Sequence, residues 1–157
     1  MWDIGGSNIM DTKKRLELLR LDNKFKNIKG IKSYRIATLD ELTEIEKSTL
    51  NDMSNSSSNA DDKVLLTIDY PKRILWTIEK LRNILAYDSE VIFVVDYSLV
   101  FLFLSDIEDF LHNYFDIREC FSIYCLNREI EKCVIVMQTE YYLEYSEKFI
   151  CNNVSSE

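Results

Sequence analysis

Apolar positions recur at two periods along this chain, and the switches between them mark out its elements. Residues 11–28 set Leu18, Leu21, Phe25 and Ile28 at offsets 0, 3, 7 and 10, a helical stripe with Leu16 and Leu19 beside it. Asp11 suits the start of that helix and Gly30 its stop. "IKSYRIA" then reads as a short strand. Thr38 followed by Glu41 has the capping-box spacing and predicts a second helix through about Leu50. "NDMSNSSSNADD" has almost no apolar content to offset its ordering entropy, so residues 51–63 are expected to be a flexible loop. It separates a helical section, 1–50, from an α+β body, 64–150. Fifty residues make a thin core, so both parts are expected to pack into a single domain.

The body opens with "KVLLTID", a strand, and Pro71 stands where the first turn of a helix tolerates proline. The predicted helix 71–87 carries Ile74, Leu75, Ile78, Leu81, Ile84 and Leu85 on one face, with Trp76 and Tyr87 opposite. A tryptophan on the back face needs cover, which the N-terminal helices are expected to supply; the alternative is an exposed partner site. "VIFVVDYSLVFLFL" is the most apolar stretch. A membrane-spanning helix needs about 20 apolar residues, whereas this run is shorter and broken by Asp96. Its Val, Ile and Phe content favours strands, and Asp96 followed by Tyr97 and Ser98 suits a tight turn. It is expected to be a buried hairpin, covered by helices on both faces.

Ser105 and Glu108 repeat the capping-box spacing ahead of Ile107, Phe110, Leu111, Tyr114 and Phe115, a helical face. "CFSIYCLN" and "KCVIVMQ", joined by "REIE", predict a second hairpin. Alternation groups Cys125 with Phe121 and Ile123, and Cys133 with Ile135 and Met137, and the pairing is expected to set the two cysteines opposite each other. "TEYYLEYSEKFI" alternates Tyr141, Leu143 and Tyr145 as a final strand. The fold class expected is α+β, a mainly antiparallel sheet of five or six strands packed by helices.

Composition and charge narrow the function. At 46% hydrophobic, with only three glycines and one proline, the chain should bury an ordinary globular core. The opening residues "MWDIGGSNIMDTKKR" carry no apolar h-region, so a cytoplasmic protein with reduced thiols and no membrane attachment is expected. The net charge of −8 is uneven: residues 11–36 hold nine basic against three acidic side chains, a net +6, while residues 106–157 hold four against eleven, a net −7. Such asymmetry suits either internal docking of unlike surfaces or two faces offered to different partners.

Candidate chemistry is thin. Cys120, Cys125, Cys133 and Cys151 form no C-x-x-C pair and His112 lies outside their spacing, so they read as small buried hydrophobes and no metal is expected. "DIGGSN" has the look of a phosphate loop but lacks a preceding strand. Glu108, Asp109 and Asp116 can reach His112 along one helix, yet a metal needs more ligands, so His112 reads as a solvated residue among carboxylates. One histidine and no glycine-bearing nucleophile turn leave no catalytic set, so no enzyme and no cofactor are expected. Nucleic-acid binding is disfavoured, because the basic charges interleave with leucines and no recognition motif accompanies them.

In its size, in the hairpin–helix–hairpin "VIFVVDYSLVFLFLSDIEDFLHNYFDIRECFSIYCLNREIEKCVIVM" and in the acidic, tyrosine-rich "QTEYYLEYSEKF", the chain resembles the small immunity proteins of bacterial toxin systems. That resemblance implies a non-catalytic protein that neutralises a cognate toxin domain, often a nuclease, through protein–protein contact. A carboxylate- and tyrosine-rich surface is the electrostatic complement of a basic phosphate-binding site. The expected contacts are Tyr141, Tyr142, Glu144, Tyr145 and Glu147. Strand alternation separates Tyr142 and Glu144 from Tyr141, Tyr145 and Glu147, so one set should dominate. The protein should be a monomer or weak dimer. The alternative is a small ligand-sensing or structural module with no toxin partner.

Overall fold

The computed structural model describes residues 2–55, 60–85, 89–118 and 122–150, with side chains from residue 12 onward and excluding 117–118. The expectations for Tyr87, Cys120, Phe121 and Cys151 fall outside the described residues. In chain order the elements are α1 (Trp2–Lys26), β1 (Ile31–Thr38), a 3-10 turn (Leu39–Glu41), α2 (Glu44–Ser54), β2 (Asp62–Leu65), α3 (Tyr70–Leu81), β3 (Val91–Val95), β4 (Ser98–Leu104), α4 (Ile107–Arg118), β5 (Ile123–Asn127), β6 (Lys132–Gln138) and β7 (Tyr142–Phe149). The class is α+β as expected. The sheet is larger than five or six strands: seven join it, all antiparallel, in the order β1-β4-β3-β5-β6-β7-β2. The two edges are taken by β1, eight residues long, and by the four-residue β2. The N-terminal section therefore contributes a strand as well as helices to the body's own sheet.

Helices cover both faces. On one, Leu21, Phe25 and Ile28, Ile74, Ile78 and Leu81 of α3, and Phe110, Leu111 and Tyr114 of α4 bury Phe93, Val100, Leu102, Cys125, Val134 and Val136. On the other, Leu42, Leu50 and Met53 bury Ile92, Leu99, Phe101, Leu126, Cys133 and Ile135. The 91–104 stretch is thus apolar on both sides because both sides are packed, and no helix among the described residues is long and apolar enough to cross a membrane. Its turn is the pair Asp96–Tyr97, with φ of 50° and 65°, between the paired Val95 and Ser98. Two successive left-handed residues make this a type I′ hairpin, whose twist suits the strands it joins.

Several expected element ends shift: α1 begins at Trp2, nine residues ahead of the expected start at Asp11, and α3 ends at Leu81 and not at residue 87. Thr38 precedes only the 3-10 turn and makes no side-chain cap; the capping box is Thr43 with Glu46, whose side chains and backbone N–H groups satisfy each other at 3.1 and 2.8 Å. α2 accordingly runs on to Ser54, and the strand after the loop starts at Asp62. At α4 the cap is Asp106, which accepts from the Asp109 N–H at 2.9 Å, while the Ser105 N–H is spent on the Gly30 carbonyl at 2.8 Å. Cys125 pairs with Val134 and Cys133 with Leu126, so the two cysteines are one register step apart and lie on opposite faces of the sheet. Burial raises both thiols, that of Cys133 to about 12.

One expectation about α3 fails. Leu75 is 59% exposed, off the buried face formed by Ile74, Ile78 and Leu81. Trp76 is half-buried, and its neighbour is Lys80, which bridges to Asp62 on β2 and lies over Tyr145 on β7. α1 docks at the other edge: Tyr34 of β1 donates to Asp22 at 2.7 Å, and Lys14 reaches the Tyr97 carbonyl and Ser98 hydroxyl. Trp76 packs against the core on the α3 side, and the described contacts of α1, to Tyr34, Tyr97 and Ser98, lie at the opposite edge of the sheet.

Candidate partner-binding surface

β7 carries all but one of the expected contact residues; Tyr141 sits in the turn before it, 64% exposed. The strand's alternation sends them to opposite faces. Tyr145 turns to the α3 side and is buried, with Leu143 beside it in the core. Its hydroxyl donates to Glu147 at 2.5 Å, and Lys132 closes on the same carboxylate at 2.9 Å. The Tyr145 and Lys132 hydrogen bonds hold the Glu147 carboxyl below its ordinary value, and burial, with the Glu147 bond, raises the Tyr145 phenol. Asp61 completes the knot by accepting from the Glu147 N–H at 2.8 Å. Asp62 is likewise lowered, first by Lys80 and then by the Lys63 N–H. The polar groups on this side are engaged with one another.

Tyr142 and Glu144 face the other way, both half-buried. Glu144 lies between Met137 of β6 and Lys63 of β2, and Tyr142 is paired with Leu65, which is 49% exposed. The Lys63 ammonium stands 4.4 Å from the centre of the Tyr142 ring. On this face Ile92, Leu126, Cys133 and Ile135 are buried with Leu50 and Met53 of α2, while Tyr124 of β5 and Met137 of β6 are half-buried. The result is a partly open, aromatic and apolar corner of Tyr124, Met137, Tyr142 and Leu65, with one base and one acid set into it. Tyr124, Met137 and Leu65 were not among the expected contacts. Alternation assigns them to this face; how far each one is covered is a tertiary fact.

Other places of possible chemistry are already spoken for. A 360 Å³ cavity between α2 and the β5–β6 turn is lined by Thr43, Glu46, Arg128, Glu131 and Ile150. Glu46 is 4% exposed; burial pushes its carboxyl up, but the Arg128 guanidinium at 2.8 and 3.0 Å and the Thr43 N–H outweigh that and leave it lowered. Arg128 also donates to the Glu41 carbonyl at 2.8 Å, so the pair is a joint between α2 and the turn. His112 is half-buried on α4, and Asp116 accepts from the Tyr70 hydroxyl at 3.0 Å. Among the described residues, no group of three or more His, Cys, Asp or Glu is placed to hold a metal. Residues 3–8, "DIGGSN", lie within α1 and not in a loop between strand and helix. The chain matches no family model, no curated protein and no solved structure, so its own surface carries the functional argument.

Proposed function

We propose that this chain is a non-catalytic binding protein, an immunity protein that neutralises a cognate bacterial toxin by protein–protein contact. The observation that carries this reading is the partly open corner at Tyr142 and Glu144, beside the exposed Leu65. Monomeric proteins seldom leave contiguous aromatic and apolar surface in the open without a partner for it, and tyrosine is enriched at interface centres. Of the five expected contacts, Tyr142, Glu144 and the exposed Tyr141 are the ones with side chains to offer; Tyr145 and Glu147 hold each other. The overall acidity adds long-range attraction for a basic active site such as that of a nuclease.

The test is binding to the C-terminal domain of a toxin encoded beside this gene. A one-to-one complex burying about 800 Å² per partner is expected. Tyr142→Ala should speed dissociation, because a central aromatic acts on the off-rate. Glu144→Lys should slow association, most at low salt. Tyr145→Phe should leave both rates unchanged, since its hydroxyl is used internally. A neighbouring toxin domain that this protein fails to bind, or binds equally well in the Tyr142→Ala form, would overturn the reading.

A further inference from the structure

β1 ends at Thr38, still paired with Ser98, and β2 begins at Asp62, paired with Tyr145. These strands are the two edges of the sheet, so the chain between them crosses one face from edge to edge. The 3-10 turn and α2 lie on that crossing and cover the face thinly. Among the described residues, the cover they give is Leu42, Leu50 and Met53, with Leu39 partly buried; Ile150, beyond β7, adds to it. The opposite face has α1, α3 and α4 over it. Thr49, though buried, spends its hydroxyl on the Ile45 carbonyl of its own helix at 2.8 Å. Polar ties to the sheet include an exposed pair, Arg35 with Glu41 at 3.1 Å, of the kind that contributes little. The stronger tie is Arg128 of the β5–β6 turn, which holds the buried Glu46 carboxylate at 2.8 and 3.0 Å and the Glu41 carbonyl at 2.8 Å. The 360 Å³ cavity lined by Thr43, Glu46 and Arg128 lies at this joint, so the first turn of α2 is not close-packed there.

Chain length leaves this crossing free to lift. From Thr38 to Asp62 the chain can extend to about 80 Å. Seven strands at a spacing of about 4.8 Å put the two edges only about 29 Å apart. Neither edge strand need leave the sheet for α2 to come away. A helix of 11 residues does not hold its fold alone in water, so release of α2 and its unfolding are one event. We propose that residues 39–55 form a strap that opens as a unit over an intact sheet, with Glu46 and Arg128 as its latch. Opening uncovers Ile92, Leu126, Cys133 and Ile135, against which Tyr124 and Met137 of the partner-binding corner pack. The inference does not rest on the toxin-binding reading, and its test needs no partner.

Two buried thiols report on the two faces: Cys133 lies with the strap, and Cys125 lies under the helices opposite. The full chain is alkylated with N-ethylmaleimide in native buffer, and peptide mass spectrometry follows each thiol separately. Cys133 should react about tenfold faster than Cys125 or more, because it needs only the strap to open. Amide hydrogens of α2 should exchange with the same opening equilibrium, while those of β6 stay protected. Ile78→Val, in the other core, should speed Cys125 about fivefold and leave Cys133 unchanged. Arg128→Met should speed both thiols by one factor, about tenfold or more, since an orphaned Glu46 destabilises the closed state from which both openings start. If that variant fails to fold, Thr43→Ala should speed both about fivefold through the lost cap. The proposal is overturned if Cys133 reacts no faster than Cys125, or if Ile78→Val speeds the two alike. Exchange of the β6 amides along with Cys133 labelling overturns it as well, as does Cys133 labelling indifferent to Arg128→Met and Thr43→Ala.

Discussion

Glu46 shows how a residue's role can depend on a partner far away in the chain. An isolated glutamate in "LTEIEK" reads as a solvated helix residue, yet it is 4% exposed and holds the second capping partner, the Thr43 N–H, together with Arg128 from 82 positions away. Removing the guanidinium would leave a buried carboxylate with one donor. Because Arg128 is itself 44% exposed, Arg128→Met should cost about 2–3 kcal/mol, below the usual range for a fully buried pair. Urea unfolding at pH 7 measures it. The deficit should shrink as pH falls below about 4, where protonation removes the orphaned charge. An equal deficit at pH 3 and pH 7 would mean that packing, and not the ion pair, accounts for the loss. The opposite case is Asn127, fully buried, whose amide donates to the Ile84 carbonyl and the Ser89 hydroxyl at 3.0 Å and accepts from the Glu129 N–H at 3.0 Å. Its sequence context gave no hint of either link.

At the scale of elements, periodicity located each helix and strand but not all of their ends: α1 starts at Trp2, nine residues ahead of Asp11, and α3 stops at Leu81, six short of residue 87. The capping-box spacing occurs at Thr38, Thr43 and Ser105, and spacing alone cannot choose among them. The chain chose Thr43, since Thr38 is still paired with Ser98 in the sheet. It chose Asp106 over Ser105 because Gly30 takes the Ser105 N–H, tying the α1–β1 turn to the start of α4. Two consequences can be measured by thermal unfolding. Thr43→Ala and Asp106→Ala should each cost about 1 kcal/mol, with Thr38→Ala and Ser105→Ala costing a few tenths. Gly30→Ala should cost about 2 kcal/mol or more, because Gly30 has φ of +83° and an added methyl would meet the Asp106 carbonyl at 2.4 Å and the Phe110 nitrogen at 2.6 Å. A near-neutral Gly30→Ala would show that α4 can move away from the turn.

Across the whole molecule, the lowered carboxyls couple stability to acid. Glu46, Asp62 and Glu147 all sit below their ordinary values, so the stability they contribute is fully present above the unfolded-state values near 4 and is lost as pH falls through the lower folded-state values. The urea midpoint should stay level from pH 7 to about 5 and drop steeply below about 4; a midpoint that rises on acidification would contradict these pairings. Hydrophobic period, turn residues and composition, all local properties of the sequence, determined the α+β class, the two hairpins, the buried 91–104 stretch and the alternation that splits Tyr142 and Glu144 from Tyr145 and Glu147. Tertiary structure alone decided the rest. It placed β1 and β2 at opposite edges of a seven-stranded sheet, set Cys125 and Cys133 on opposite faces by a single register step, and left Leu75 off the buried face of α3. It left Tyr142 half-buried and Leu16 and Leu19 outside the core. The physical reason is the same throughout: a side chain's period states which neighbours share its face, but whether that face is covered depends on where another element, distant in the chain, comes to rest.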